Sequence, residues 1–247
     1  VLTASSADCT NYPSNFLCSP SRIDGMSFTN SSQGGGGIML HGWDHYVEIA
    51  NNRIYGNAGT LSGGITVGQP ETADGTIAGT VEQSFGYNVG VHLHHNSVTQ
   101  NTSYGDELNS TTPMAAGGVT LCTGADNYLF NYNWICGNLS AGDGAGVVQY
   151  GFSSNGNISN NSILFNQSTN PTIPTHGGGI AVLGAAPDGT NCENAAVDQD
   201  CAPDLSEGTG PGLVIDSNLI QGNTAESGSG GGLRLQQING TEVARNP

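Results

Sequence analysis

The sequence predicts an all-β chain wound into a single right-handed parallel β-helix, about six coils of three strands each. Three observations lead there: two short phrases that alternate along the chain, an asparagine at a constant offset in one of them, and a composition poor in helix formers. Glycine is 39 of the 247 residues and asparagine 26, while only 10% are charged. That mixture disfavours helices and supplies many tight turns. Disordered chains pair low hydrophobicity with high charge; here 36% of residues are hydrophobic and fall in short clusters.

The first phrase is a glycine followed by alternating apolar residues. It occurs at Gly37-Ile38-Met39-Leu40, Gly64-Ile65-Thr66-Val67, Gly118-Val119-Thr120-Leu121, Gly146-Val147-Val148-Gln149, Gly179-Ile180-Ala181-Val182 and Gly232-Leu233-Arg234-Leu235. The second, apolar-x-x-Asn-x-apolar-x-x-Asn, is cleanest from Ile49 to Asn57 and returns at Leu93–Asn101, Phe130–Asn138, Ile158–Asn166 and Ile215–Asn223. Its first asparagine falls at 52, 96, 133, 161, 218 and 246, so the shortest interval, 28 residues, is the bare repeat and longer ones carry insertions. Each bare repeat holds three short period-2 segments, which read as three strands parted by turns.

Stacking the repeats predicts inward columns of Ile38, Ile65, Val119, Val147, Ile180 and Leu233, and of Ile54, Val98, Ile135, Ile163 and Ile220. Asparagine at the corners tolerates the left-handed backbone that sharp turns need. At a rung spacing of about 4.8 Å its amides also bond along the axis. Two ladders are expected: Asn52, Asn96, Asn133, Asn161, Asn218, Asn246; and Asn57, Asn101, Asn138, Asn166, Asn223.

With these phrases the chain resembles right-handed parallel β-helix repeat proteins of bacterial surfaces. The likeness is to the Gly-Gly-x-apolar and x-x-x-Asn repeat of polymorphic outer-membrane-protein passengers and related anchored surface proteins. It covers roughly residues 21 to 247 and implies architecture rather than activity. One domain over 1–247 is expected, with a disulfide-closed segment at 1–20 and the solenoid at 21–247. Val243 to Pro247 opens a second phrase without completing it, so the chain reads as a fragment of a longer protein. Apolar ends and open strand edges then favour end-to-end contact with the rest of the parent protein or with another subunit.

A net charge of −16, with no Lys and only four Arg, excludes a basic face for nucleic acid. No apolar run is long enough to insert in a membrane. Six cysteines in such a chain favour an oxidising compartment, extracellular or at the cell surface. Two local bridges, Cys9–Cys18 and Cys192–Cys201, are expected; Cys122 and Cys136 fall on different strands of one rung and are either paired or free.

Insertions show where ligands are to be sought. Loops at about 69–86 and 186–210 leave the same corner three rungs apart, roughly 14 Å along the axis. A third, about 102–115, leaves a different corner. Asp188, Glu193, Asp198, Asp200, Asp204 and Glu207 lie in the second loop without a cation, which reads either as a Ca²⁺ site or as a solvated acidic loop. His92 and His94 point outward from one strand, with Glu48 one rung earlier; they make either a Zn²⁺ or Cu²⁺ pair or a polar strand face. Trp43, Asp44, His45 and Tyr46 form either a sugar-stacking patch or an aromatic corner cover. Eight Asn-x-Ser/Thr sequons, at Asn30, Asn101, Asn109, Asn138, Asn157, Asn160, Asn166 and Asn239, arise readily in such a repeat.

Catalysis is tested by subtraction. The four scattered arginines do not assemble a lyase site, no paired-Asp hydrolase motif is present, and there is no nucleophile elbow or phosphate loop. The expected function is an extracellular structural or adhesive segment presenting loops to a polysaccharide or a cell-surface protein. The alternative is the scaffold of a carbohydrate-active enzyme whose catalytic residues lie partly elsewhere.

Overall fold

The computed structural model of the chain describes residues 9–11, 13, 16–32, 34–60, 62–68, 88–104, 116–122, 124–150, 153–183, 210–226, 228–236, 238 and 240–247. Every regular element among them is a β-strand, and all pairings are parallel. The strands stack into four sheets, which serve as the walls of a parallel β-helix. The first wall stacks Arg22–Asp24, Glu48–Ala50, His92–His94, Leu129–Asn131, Asn157–Ser159, Val214–Asp216 and Glu242–Ala244. The second stacks Ser27–Thr29, Arg53–Tyr55, Ser97–Thr99, Trp134–Cys136, Ser162–Leu164 and Leu219–Gln221. The third contains only the two-residue strands Ala58–Gly59, Thr102–Ser103, Leu139–Ser140, Gln167–Ser168 and Thr224–Ala225. The fourth stacks Ile38–Leu40, Ile65–Val67, Val119–Cys122, Val147–Tyr150, Ile180–Leu183 and Leu233–Leu235.

The chain visits the walls in that order through six coils and enters a seventh at Glu242–Ala244. A coil therefore has four strands where three were expected. Two residues are too few to show an alternating pattern, which is why the third wall leaves no apolar signature in the sequence. Its inward positions are Gly59, Ser103, Ser140, Ser168 and Ala225, and the three serines are fully buried.

Both predicted apolar columns hold. Ile38, Ile65, Val119, Val147 and Ile180 are buried in one, and Ile54, Val98, Ile135 and Ile163 in the other, with Leu233 and Ile220 packed partly buried against them. A third column on the first wall runs Ile49, Leu93, Phe130, Ile158 and Ile215. Each such side chain contributes about 1.5–3 kcal/mol on leaving water.

The asparagine ladders form as registered. Each interior ladder amide accepts at Oδ1 from the backbone N–H and Nδ2 of the asparagine one rung before. It donates through Nδ2 to a carbonyl of that earlier rung and to the next Oδ1. Asn133 is typical: Oδ1 takes Asn96 N and Nδ2 at 3.0 Å each, and Nδ2 reaches Leu93 O and Asn161 Oδ1 at 3.0 Å. The first ladder continues through Asn218 to Asn246, and the second runs unbroken from Asn57 to Asn223. Buried amides with every donor used carry no desolvation penalty.

One expectation about these corners is corrected. The left-handed residue is not the ladder asparagine but the residue before it: Asn51, His95, Tyr132, Asn160, Ser217 and Arg245 at the first corner, with φ between 49° and 57°. The ladder asparagine is selected for its amide, and the strained position accepts many side chains because it points into solvent.

The Cys9–Cys18 bridge is present, as suits an oxidising environment. Cys122 and Cys136 are not bridged; they stand on the fourth and second walls, which face different sides of the solenoid. Cys192 and Cys201 lie outside the described residues. The loops expected at about 69–86 and 186–210 both fall between a fourth-wall strand, Ile65–Val67 or Ile180–Leu183, and the next strand of the first wall, His92–His94 or Val214–Asp216. The third insertion departs after Thr102–Ser103, on the third wall, so its first two residues are strand.

Two half-buried carboxyls give the fold a pH dependence. Burial raises Asp126 and Asp143 above the usual 3.8, against the hydrogen bonds that Asp126 accepts from Ser154 N (2.7 Å) and Asp143 from His176 N (2.5 Å). The folded chain then holds these protons to higher pH than the unfolded chain. Their contribution is greatest in acid and declines as pH rises from the ordinary carboxylate value through the folded one. Asp126→Asn keeps an acceptor for Ser154 and removes the buried charge. It is expected to raise the urea midpoint at pH 7 and to leave it unchanged at pH 3; a lower midpoint at pH 7 contradicts the assignment.

Candidate functional site

The outer corner between the first and second walls gathers half of the chain's six imidazoles. His92, His94 and His95 occupy one rung, and Glu48 stands beside His92 on the rung before, as the spacing predicts. Leu93 between the two outward histidines is fully buried and fixes their direction.

A chain of contacts runs across the rungs. Arg22 Nε lies 3.4 Å from Glu48 Oε2, and His94 Nε2 donates to Glu48 Oε1 at 2.7 Å. His94 Nδ1 and His95 Nδ1 are 2.9 Å apart, so one carries the shared proton. His95 in turn stacks on Tyr132, with centroids 5.3 Å apart and planes at 20°. His92 points to Asn131, Nε2 to Oδ1 at 3.0 Å.

Of the proposed Zn²⁺ or Cu²⁺ ligands, His94 has both ring nitrogens in hydrogen bonds and His92 its Nε2. Among the described residues no three His, Cys, Asp or Glu converge as a Zn²⁺ or Cu²⁺ site. The acidic loop read as a Ca²⁺ site (Asp188, Glu193, Asp198, Asp200, Asp204, Glu207) lies outside the described residues.

Beyond Tyr132 the same rung presents Trp134, and the two rings are 54% and 48% exposed. Ser97 and Ser162 sit in register with Trp134 on the rungs either side. Two exposed aromatic residues, His95 stacked on the first of them, and two serines in register with the second thus lie along this corner and the wall beside it. No contiguous motif announces this face. The signal is register: His95 plus one rung of 37 residues is Tyr132.

The stretch from Trp43 to Tyr46 is used differently. His45 Nδ1 accepts Val89 N–H at 3.1 Å, and the Phe16 ring meets its edge at 5.0 Å, tying down the disulfide-closed segment. Burial lowers the His45 pKa, against the Asp44 charge. The Asp44 backbone N–H is taken by Asn88 Oδ1 at 3.0 Å. Tyr46 lies over Gly90, where a Cβ would sit 2.7 Å from the ring. Trp43 alone of the four stays largely exposed, at 53%.

One group has the makeup of a nucleophile and base. Ser229 Oγ is 3.2 Å from His176 Nδ1, and Asp143 is near. That nitrogen already accepts Ser229 N–H at 2.9 Å, and Asp143 binds the His176 backbone rather than its ring. The lone pair a base would use is occupied, and among the described residues no carboxylate is hydrogen-bonded to the ring. No helix is long and apolar enough to cross a membrane among the described residues. No protein-family model, curated protein or solved structure matches the chain.

Proposed function

We propose that this chain is an extracellular structural and adhesive β-helix segment, of the kind its repeat resembles on bacterial surfaces, that binds neutral glycan on the corner of Tyr132 and Trp134. The observation that carries the reading is the exposed ring pair beside His95, with Ser97 and Ser162 alongside. Apolar C–H faces of a pyranose stack on such rings while its hydroxyls meet imidazole and serine, a mixture unsuited to a purely apolar partner. A net charge of −16 repels an acidic polymer and leaves a neutral one indifferent. The stacked ladders make the support rigid, so the rings are presented without ordering cost.

A glycan array followed by calorimetry tests this. Trp134→Ala and Tyr132→Ala are each expected to weaken binding at least ten-fold, with little change between 50 mM and 500 mM salt. Binding that survives both substitutions, or that collapses with salt, rejects the site. Release of reducing ends or unsaturated uronates from any polysaccharide would favour the enzyme-scaffold reading instead.

A further inference from the structure

Three of the eight sequons belong to the second ladder: Asn101-Thr102-Ser103, Asn138-Leu139-Ser140 and Asn166-Gln167-Ser168. The pattern has a structural origin. The asparagine turns into the interior, the next residue faces out, and the serine turns in again on the third wall. All six of these asparagines and serines are essentially buried. Ser140 Oγ accepts Gly142 N–H at 2.9 Å, and Ser168 Oγ donates to Gly142 O at 2.9 Å.

N-glycosylation is incompatible with this placement at the level of single hydrogens. Transfer forms a bond from Nδ2 to the sugar C1 and breaks the C1–O bond to the diphosphate donor. The diphosphate leaves, and one Nδ2 proton passes to a base on the transferase. The modified amide keeps a single N–H. Asn138 Nδ2 needs two, for Val98 O at 3.0 Å and Asn166 Oδ1 at 2.9 Å. Asn101 needs two for Ile54 O and Asn138 Oδ1, and Asn166 for Ile135 O and Asn223 Oδ1. The interior beside them is also full: a Cβ on Gly118 would lie 3.1 Å from Asn138 Nδ2.

Two other sequon asparagines have the opposite placement. Asn30 and Asn160 are exposed, each at a left-handed corner position with φ of 61° and 56°, where the side chain projects from the rod. Asn157 is intermediate, half-buried and bonded at Oδ1 by its own Ser159 hydroxyl at 2.6 Å. Asn109 and Asn239 lie outside the described residues.

We propose that the folded chain offers Asn30 and Asn160 as acceptors of an N-linked glycan and withdraws Asn101, Asn138 and Asn166. The chain therefore reaches its fold only where its second ladder closes before an N-glycosylating enzyme meets it. A secretory route that modifies the chain as it emerges, before folding, defeats it, and a route that exports it without that step does not.

The test uses full chain produced without glycosylation and a soluble N-glycosyltransferase with a nucleotide-sugar donor. It acts on folded protein and on chain held unfolded in a urea concentration the enzyme tolerates. Peptide mapping is expected to find Asn30 and Asn160 modified in both. Asn101, Asn138 and Asn166 are expected to react at least ten-fold faster in the unfolded chain. Chain modified at Asn138 and diluted from urea should fail to regain its cooperative transition, whereas chain modified only at Asn160 should regain it. A sugar on Asn138 in folded protein, refolding of Asn138-modified chain, or unreactive Asn160 in folded protein would each overturn the proposal.

Discussion

Asn133→Ala is expected to unfold the rod or nearly so. Removing this amide strands the Asn96 N–H and one Asn96 Nδ2 hydrogen in the interior and takes one donor from the Leu93 carbonyl. An unpaired buried group costs about 1–3 kcal/mol, so two cost on the order of 2–6 kcal/mol, comparable with the whole stability of many domains. Asn133→Asp restores the acceptor but loses both donors and buries a charge, so it should recover partly in acid and not at neutral pH. Asn131→Ala, two residues earlier on the outer face of the same rung, loses only the His92 contact and should cost about 1 kcal/mol or less. Urea titration of the three variants checks the order. Equal costs for Asn131 and Asn133 would mean that the ladder contributes no more than a surface contact.

Gly118→Ala is expected to be nearly as damaging for a different reason. An added Cβ would lie 2.3 Å from the Gly146 carbonyl oxygen on the next rung, and 3.1 Å from both Asn138 Nδ2 and Ile135 Cγ2. The obstacle is backbone, fixed by its own ladder, so the rung spacing must open. Overpacking of this kind costs typically 1–3 kcal/mol and here about 3 kcal/mol or more. Gly37→Ala is the graded comparison. Its nearest neighbours are Asn57 Nδ2 at 2.9 Å and Ile54 Cγ2 at 3.0 Å, with the next-rung carbonyl at 3.1 Å. Side chains yield more readily than backbone, so about 1–2 kcal/mol is expected. Thermal unfolding that ranks Gly37→Ala as the worse variant would refute the steric account of the glycine phrase.

The solenoid was legible because its physics repeats. An apolar residue must point inward on every rung, and an amide that bonds above and below must recur on every rung, so Ile54 to Ile220 and Asn52 to Asn246 can be aligned by spacing alone. The corner from which both long loops leave follows from the same arithmetic. The third wall was not legible, since Leu139–Ser140 has one inward residue and that residue is polar. The left-handed corner was placed one residue late, because asparagine suits both that backbone and the ladder, and only geometry separates the two roles. His92-Leu93-His94 reads as a metal motif in one dimension, while across the rungs Glu48, His95 and Asn131 hydrogen-bond three of its four ring nitrogens. Tyr132 and Trp134 lie one rung on and form no motif with His95 until the coils are stacked.

Hydrogen exchange of the asparagine side chains and corner amides tests the central claim most directly, that two continuous amide ladders hold this chain as a rigid rod. Followed residue by residue in D₂O, the Nδ2 hydrogens of Asn96, Asn101, Asn133, Asn138 and Asn161 are expected to exchange only through global unfolding. Their backbone N–H groups should share one rate, the slowest in the protein. The exposed Asn160 amide, one residue from Asn161, should exchange at the rate of a solvated side chain. If the ladder amides exchange as fast as Asn160, or each at its own rate, the ladders do not hold the coils together and the account is wrong.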